Sequence, residues 1–137
     1  MKGPSATFDT NPRGHETILV VEDDDEVRAT AVEMVEDLGY RVIAATNGPE
    51  ALDLLNADEP IDLLFSDIQM PGGISSVALA AQARKLQHGM GVLLTSGYPA
   101  ENRDDLALRA FPVIHKPYQL DKLAQMLRIA LDLRHGK

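Results

Sequence analysis

Apolar residues along this chain fall alternately into short continuous runs and into longer stretches where they recur three and four positions apart. Thr17–Val21, Arg41–Ala45, the triplets Leu63, Leu64, Phe65 and Val92, Leu93, Leu94, and the pair Val113, Ile114 are runs of the first kind. Short apolar runs bounded by turn residues read as strands covered on both faces. Between the first two, Val27, Ala31, Met34, Val35 and Leu38 recur at helical spacing and predict a helix over about 26–38, stopped by Gly39. Asn47, Gly48 and Pro49 place a capping residue and a first-turn proline ahead of Ala51, Leu52 and Leu55. Leu79, Ala80, Ala83 and Leu86 mark a third helix from about Ser75, broken by the glycines at 89 and 91. Residues 101–110 are polar and weakly periodic and are taken as a fourth helix, while Leu120, Leu123, Ala124, Leu127 and Leu131 define the last.

Strands alternating with helices imply a parallel sheet with right-handed crossovers and helices on both faces. The expected fold is therefore α/β, a flavodoxin-like (βα)5 three-layer sandwich with five parallel strands in the order 2-1-3-4-5. Residues 1–15 carry glycine, proline and small polar residues without periodicity, and are expected to be a flexible tail or linker before one domain over 16–137.

Composition narrows the class. The 137 residues are 45% hydrophobic but only 4% aromatic, which fits a single core of Val, Leu, Ile and Ala. A formal charge of −8 argues against a general nucleic-acid or anionic-membrane surface and favours a cation or a basic partner patch. The absence of cysteine excludes disulfides, thiolate metal sites and thiol nucleophiles. No apolar run approaches the roughly 18 residues of a membrane span, so the expectation is a cytoplasmic protein.

The chemistry gathers at the ends of the strands. In an open parallel sheet, the C-terminal strand ends line the crevice where ligands bind. Strand one delivers Glu22 and Asp23, strand three Asp67, strand four Thr95 and strand five Lys116. Strands one and three are neighbours in the expected order, so three carboxylates converge and would repel each other without a cation. A hard divalent ion with oxygen ligands suits them, and Mg²⁺ is the cellular default. Thr95 and Lys116 arrive from the other side with a hydroxyl and a fixed positive charge. A metal on one flank, an ammonium on the other and a hydroxyl between them match the charge spread over a transferring phosphoryl group. Asp67, in the middle, is the expected nucleophile and acceptor. His15, His88, His115 and His135 do not gather at metal-ligand spacing.

The runs Ile-Leu-Val-Val-Glu-Asp-Asp (18–24), Ser-Asp-Ile-Gln-Met-Pro-Gly (66–72), Leu-Leu-Thr-Ser-Gly (93–97) and His-Lys-Pro-Tyr (115–118) resemble those of receiver domains of two-component response regulators. The likeness covers residues 17–134. It implies that Asp67 takes a phosphoryl group from a histidine kinase or phosphotransfer protein. It also implies that Glu22, Asp23 and Asp67 hold Mg²⁺ together with the Gln69 carbonyl, that Thr95 and Lys116 contact the phosphoryl oxygens, and that the bond from Lys116 to Pro117 is cis. Such a domain is not an enzyme beyond its own phosphorylation and dephosphorylation. Glu22 stands where many receivers have aspartate, which changes reach rather than role. Val113 stands where many place a tyrosine or phenylalanine that moves inward on activation. The turn at 70–75 and the Thr-Ser-Gly-Tyr loop look most like receivers fused to hybrid sensor kinases.

Two other classes compete with this reading. A Mg²⁺-dependent phosphohydrolase would need a second acid two residues after its nucleophile, where this chain has Gln69. A degenerate receiver, serving only as a phosphorylation-independent interaction module, would lack an acid, the threonine or the lysine, and none is missing. Finally, Met126, Ile129, Ala130 and Leu133 form a second apolar stripe on the last helix, about 130° from the first at ~100° per residue. This face is expected to meet a protein partner, either a second copy in a homodimer or an attached kinase, unless the helix is simply buried more deeply.

Overall fold

The computed structural model describes residues 11–57, 59–68, 75–97 and 111–133. Five strands, β1 (Thr17–Val21), β2 (Arg41–Ala45), β3 (Leu63–Asp67), β4 (Gly91–Ser96) and β5 (Val113–His115), form one sheet in the order β2-β1-β3-β4-β5. Every adjacent pair is parallel, which is the expected topology. β1, β3 and β4 are buried along their whole length, as their continuous apolar runs require.

Four helices lie among the described residues: α1 (Asp25–Asp37), α2 (Gly48–Asn56), α3 (Ser76–Leu86) and α4 (Leu120–Leu133). The helix expected over 101–110 lies outside the described residues, as do Gln69 and the turn that follows it. α1 and α4 cover one face of the sheet around Ile18, Val20, Phe65 and Leu93. α2 and α3 cover the other around Leu19, Val21, Leu64 and Leu94. The alternation of side chains along each strand thus divides the apolar residues between two cores.

The caps explain the helix starts. Asn47 and Ser75 accept hydrogen bonds from the N–H groups of Glu50 and Ala78, as their positions ahead of the apolar periodicity imply. The cap of α1 is Asp24 and not its neighbour Asp25. Asp24 takes the extended conformation and accepts from Val27 N–H at 2.9 Å, while Asp25 becomes the first helical residue and pairs with Arg28. Five consecutive acids offer several equivalent caps, and the exit direction of β1 selects among them.

Attachment to the fold begins within the expected tail. Gly14 N–H donates to Leu38 O at 3.2 Å, and the Arg13 guanidinium donates to Asp37 O. A Cβ on Gly14 would collide with the Tyr40 ring, and one on Gly39, at φ +102°, would come within 2.5 Å of Gly14 O. Only glycine fits this crossing of two backbone segments. Next to it, Arg128 of α4 makes two hydrogen bonds to the Glu16 carboxylate, at 3.1 and 3.0 Å, beneath Tyr40.

α4 also refines the expectation for its second apolar stripe. Ile129 and Leu133 are 48% and 64% exposed and Met126 is half-buried, but Ala130 is buried. Ala130 is therefore a core residue and not part of an outer stripe. The helix backbone comes so near the sheet at this point that a Cβ on Gly91 would stand 2.9 Å from Ala130 O.

Candidate phosphoacceptor site

The three expected acids meet where β1 and β3 end. Glu22 and Asp67 are buried and Asp23 is exposed, and each offers a carboxylate oxygen within 4.8 Å of the others. Adjacency in the sheet produces this convergence. Val21 pairs with Ser66, so the residues immediately beyond arrive side by side. Glu22 N–H donates to Ala45 O at 3.1 Å, and its Oε2 accepts from Asp24 N–H at 3.2 Å, which folds the carboxylate back over the strand ends.

Lys116, one residue past β5, stretches across the sheet to these acids. Its Nζ lies 2.9 Å from Glu22 Oε1 and 3.1 Å from Asp67 Oδ2. The peptide bond between Lys116 and Pro117 is cis, as the likeness implied. Burial holds the Glu22 carboxyl above its ordinary range, with a contribution from the Asp67 charge, against the opposing pull of Lys116. Burial works against the Lys116 ammonium too, but its contacts with Glu22 and Asp67 outweigh that and raise its pKa.

Thr95 completes the arrangement. It pairs with Asp67 across the β3–β4 register, and Ile68 N–H donates to its carbonyl at 2.8 Å. Its Oγ1 is buried and, among the described residues, has no hydrogen-bond partner. A buried hydroxyl without a partner carries a desolvation cost, and a ligand oxygen entering the site would remove it.

Two contributors were not singled out from the sequence. Arg28 donates to the Glu22 carbonyl at 2.9 Å and to Asp25 Oδ1 at 2.7 Å. The i, i+3 pairing with Asp25 is legible in a helix, but the reach to a backbone carbonyl is not. Tyr118 packs its ring on Phe65 with centroids 5.9 Å apart, two residues before Asp67 on β3. Burial, reinforced by Glu22 and Asp67 and opposed by Lys116, pushes its hydroxyl up to about 12. The ring thus acts as a packed, neutral wall beside the lysine turn.

Comparison with known proteins bears on this arrangement. The family model for the response regulator receiver domain matches residues 18–128. The chain belongs to that family. Among receiver relatives, it is 34% identical over 108 residues to the response regulator receiver protein CpdR of Brucella abortus, covering 77% of this chain and 88% of CpdR. It is 31% identical over 126 residues to the sensor kinase CckA of the same organism, which covers 90% of this chain but only 13% of CckA. Among solved structures, the receiver aligns with the response regulator protein TrrA of Thermotoga maritima, which was determined in complex with Mg²⁺-BeF. That alignment has a TM-score of 0.73 and 31% identity, and covers 84% of this chain and 98% of TrrA. The sheet order gathers Glu22, Asp67 and Lys116 at the C-terminal strand ends, the edge where open parallel sheets bind ligands.

Proposed function

We propose that this receiver accepts a phosphoryl group on Asp67 from the phosphohistidine of a histidine kinase or phosphotransfer protein, in a Mg²⁺-dependent reaction, and thereby switches its protein contacts. The observation that carries this reading is the buried Thr95 Oγ1, without a hydrogen-bond partner among the described residues, beside a carboxylate that a lysine already contacts. The donor set fits the ion. Neighbouring ligand oxygens about 2.1 Å from an octahedral Mg²⁺ stand about 3 Å apart. The carboxylate oxygens of Glu22, Asp23 and Asp67, all within 4.8 Å of one another, reach that spacing by closing about 2 Å at most. The expected fourth ligand, the Gln69 carbonyl, belongs to the same reading.

An Asp67 carboxylate oxygen attacks phosphorus as the N–P bond of the donor breaks, and the bonding electrons return to the imidazole nitrogen, which takes up a proton. Lys116 meets the charge on the incoming phosphoryl oxygens, and Thr95 donates its hydroxyl to one of them. Bound Mg²⁺ would supply charge neutralisation on the opposite flank. Self-catalysis of this kind, in both directions, is the whole of the proposed activity. The name of CckA, a sensor kinase, supports a kinase or phosphotransfer partner. None of the described helices is long and apolar enough to cross a membrane, which supports a cytoplasmic setting. The exposed Ile129 and Leu133 support a homodimeric contact through α4.

The test is intact mass after exposure to acetyl phosphate, with and without Mg²⁺, on the wild type and on Asp67→Asn. A single phosphoryl adduct that needs both Mg²⁺ and Asp67 is the expected result. A full-occupancy adduct on Asp67→Asn refutes the assignment.

A further inference from the structure

The turn that presents Glu22 and Asp23 is held from its outer side by one cation. Arg28, in α1, donates through one guanidinium nitrogen to the Glu22 carbonyl at 2.9 Å and through the other to Asp25 Oδ1 at 2.7 Å. It therefore grips both ends of the four-residue stretch 22–25. The side chain is 20% exposed, so the fork is packed in place and not waving in solvent. In the turn after β2, the Glu50 carboxylate accepts from Thr46 N–H and Oγ1 at 2.7 Å each. That strand also holds the other side of Glu22, through the bond from Glu22 N–H to Ala45 O.

We infer that Arg28 is a positioning residue for the cation site, fixing the turn at 22–25 so that the Glu22 and Asp23 carboxylates stay aimed at Asp67. This rests on the reading that those three acids bind Mg²⁺. Its contacts are with the back of the turn, a carbonyl and the first helical carboxylate, and its role is carried by the geometry of the fork. A lysine ammonium cannot span the same two acceptors with fixed angles. Groups that orient metal ligands typically matter by about 10–100-fold in metal affinity.

The alternative has the opposite sign. If Arg28 acted only as a nearby positive charge, it would repel Mg²⁺, and its removal would tighten binding. The experiment is calorimetric titration of the whole chain with Mg²⁺ at fixed ionic strength, on the wild type, Arg28→Gln, Arg28→Lys and Asp23→Asn. Thermal melts without Mg²⁺ accompany each titration. The expected result is a Kd weakened about 10-fold in both Arg28 variants at a temperature where both are fully folded. Equal or tighter binding by Arg28→Gln overturns the inference, and so does wild-type affinity in Arg28→Lys. A merely structural residue would lower the melting temperature and leave the Kd of the folded protein unchanged, which also overturns it. If neither Asp23→Asn nor Glu22→Gln, titrated alongside, binds Mg²⁺ more weakly than the wild type, the cation site itself fails and the inference falls with it.

Discussion

The Lys116 ammonium stands 2.9 Å from the Glu22 carboxylate although 94 positions separate them in sequence, and the same nitrogen reaches Asp67 at 3.1 Å. Glutamate is what makes the first contact short. Its extra methylene lets the carboxylate leave the end of β1 and fold over toward the β5 side of the crevice. The lysine therefore balances two buried acids from the position at which it would later meet phosphoryl oxygens. An incoming cation has to compete with it for Glu22.

Removal of that ammonium leaves two largely buried carboxylates facing each other. Lys116→Ala should lose about 1–3 kcal/mol of stability without Mg²⁺, less than for a fully buried pair because the lysine is partly exposed. Mg²⁺ should restore a larger share of stability to the variant than to the wild type, because metal and lysine compete for the same charge. The variant should still bind Mg²⁺, but its phosphorylated form should lack the spectral changes of the wild type on the distant face. The pH dependence follows from the raised Lys116 pKa. The stabilisation is fully present below the ordinary lysine value of 10.5 and is lost as pH rises through the higher folded value, so wild type and variant should converge in strong alkali. Melting curves across that range, with and without Mg²⁺, measure both effects.

Glu22→Gln and Asp23→Asn should each weaken Mg²⁺ binding by about 10-fold or more, since each removes a ligand charge. Without metal the sign reverses for Glu22. A carboxyl whose folded pKa is raised destabilises the fold once pH exceeds its ordinary value of 4.5, and glutamine removes that penalty. Glu22→Gln should thus gain in melting temperature relative to the wild type as pH climbs from 4.5 toward neutrality in chelator. Unchanged Mg²⁺ affinity in both variants would refute the cation site.

Much of this site was legible in the sequence because strand ends are marked by local chemistry. An apolar run that stops at a carboxylate, a hydroxyl or a lysine identifies Asp67, Thr95 and Lys116, and the sheet order then brings them together. The exact cap of α1 was not legible, since neighbouring aspartates have the same capping chemistry and only the path of the chain chooses Asp24. The burial of Ala130 was not legible either. Helical periodicity placed it in the outer stripe with Met126, Ile129 and Leu133, and the close approach of α4 to Gly91 buries it instead. Long-range partners such as Arg128 and Glu16 carry no local signal at all, because their pairing depends on where α4 crosses the start of β1.

That pairing gives a prediction remote from the proposed phosphoacceptor site. Burial opposes ionisation of Glu16, but hydrogen bonds from Arg128 and from backbone N–H groups outweigh it and hold the carboxyl at about 2. A depressed carboxyl stabilises the fold above its ordinary value, and the contribution is lost as pH falls from 4.5 to about 2. Arg128→Ala should cost about 2–3 kcal/mol at neutral pH, or about 5–10 °C in melting temperature, and much less near pH 2. Chelator and Mg²⁺ should make no difference to this loss, since Arg128 lies at the opposite end of the strands. A melting temperature within about 1 °C of the wild type at pH 7 would show that the ion pair is energetically idle.

The last prediction concerns the outer face of α4. Leu123, Ala124, Leu127, Ala130 and Leu131 are buried against the sheet, so the core does not need Ile129 or Leu133, which are 48% and 64% exposed. Two large aliphatic side chains one helical turn apart on a solvated face lose free energy to water, and a second copy of the same helix would cover both at once by symmetry. On the proposed function, Val113 offers no ring to link such a face to the acceptor, so coupling from Asp67 is expected to run through Thr95 and the segment at 96–112, most of which lies outside the described residues. Association through α4 is therefore expected to be largely constitutive, with phosphorylation felt in residues 96–112. Light scattering on the wild type and on Ile129→Glu/Leu133→Glu, with and without beryllium fluoride, should show a dimer for the first and a monomer for the second in both conditions. Hydrogen exchange should change on beryllium fluoride binding at 96–112 and remain constant along α4. A wild type that stays monomeric at millimolar concentration in every condition would assign the exposed pair no role in self-association.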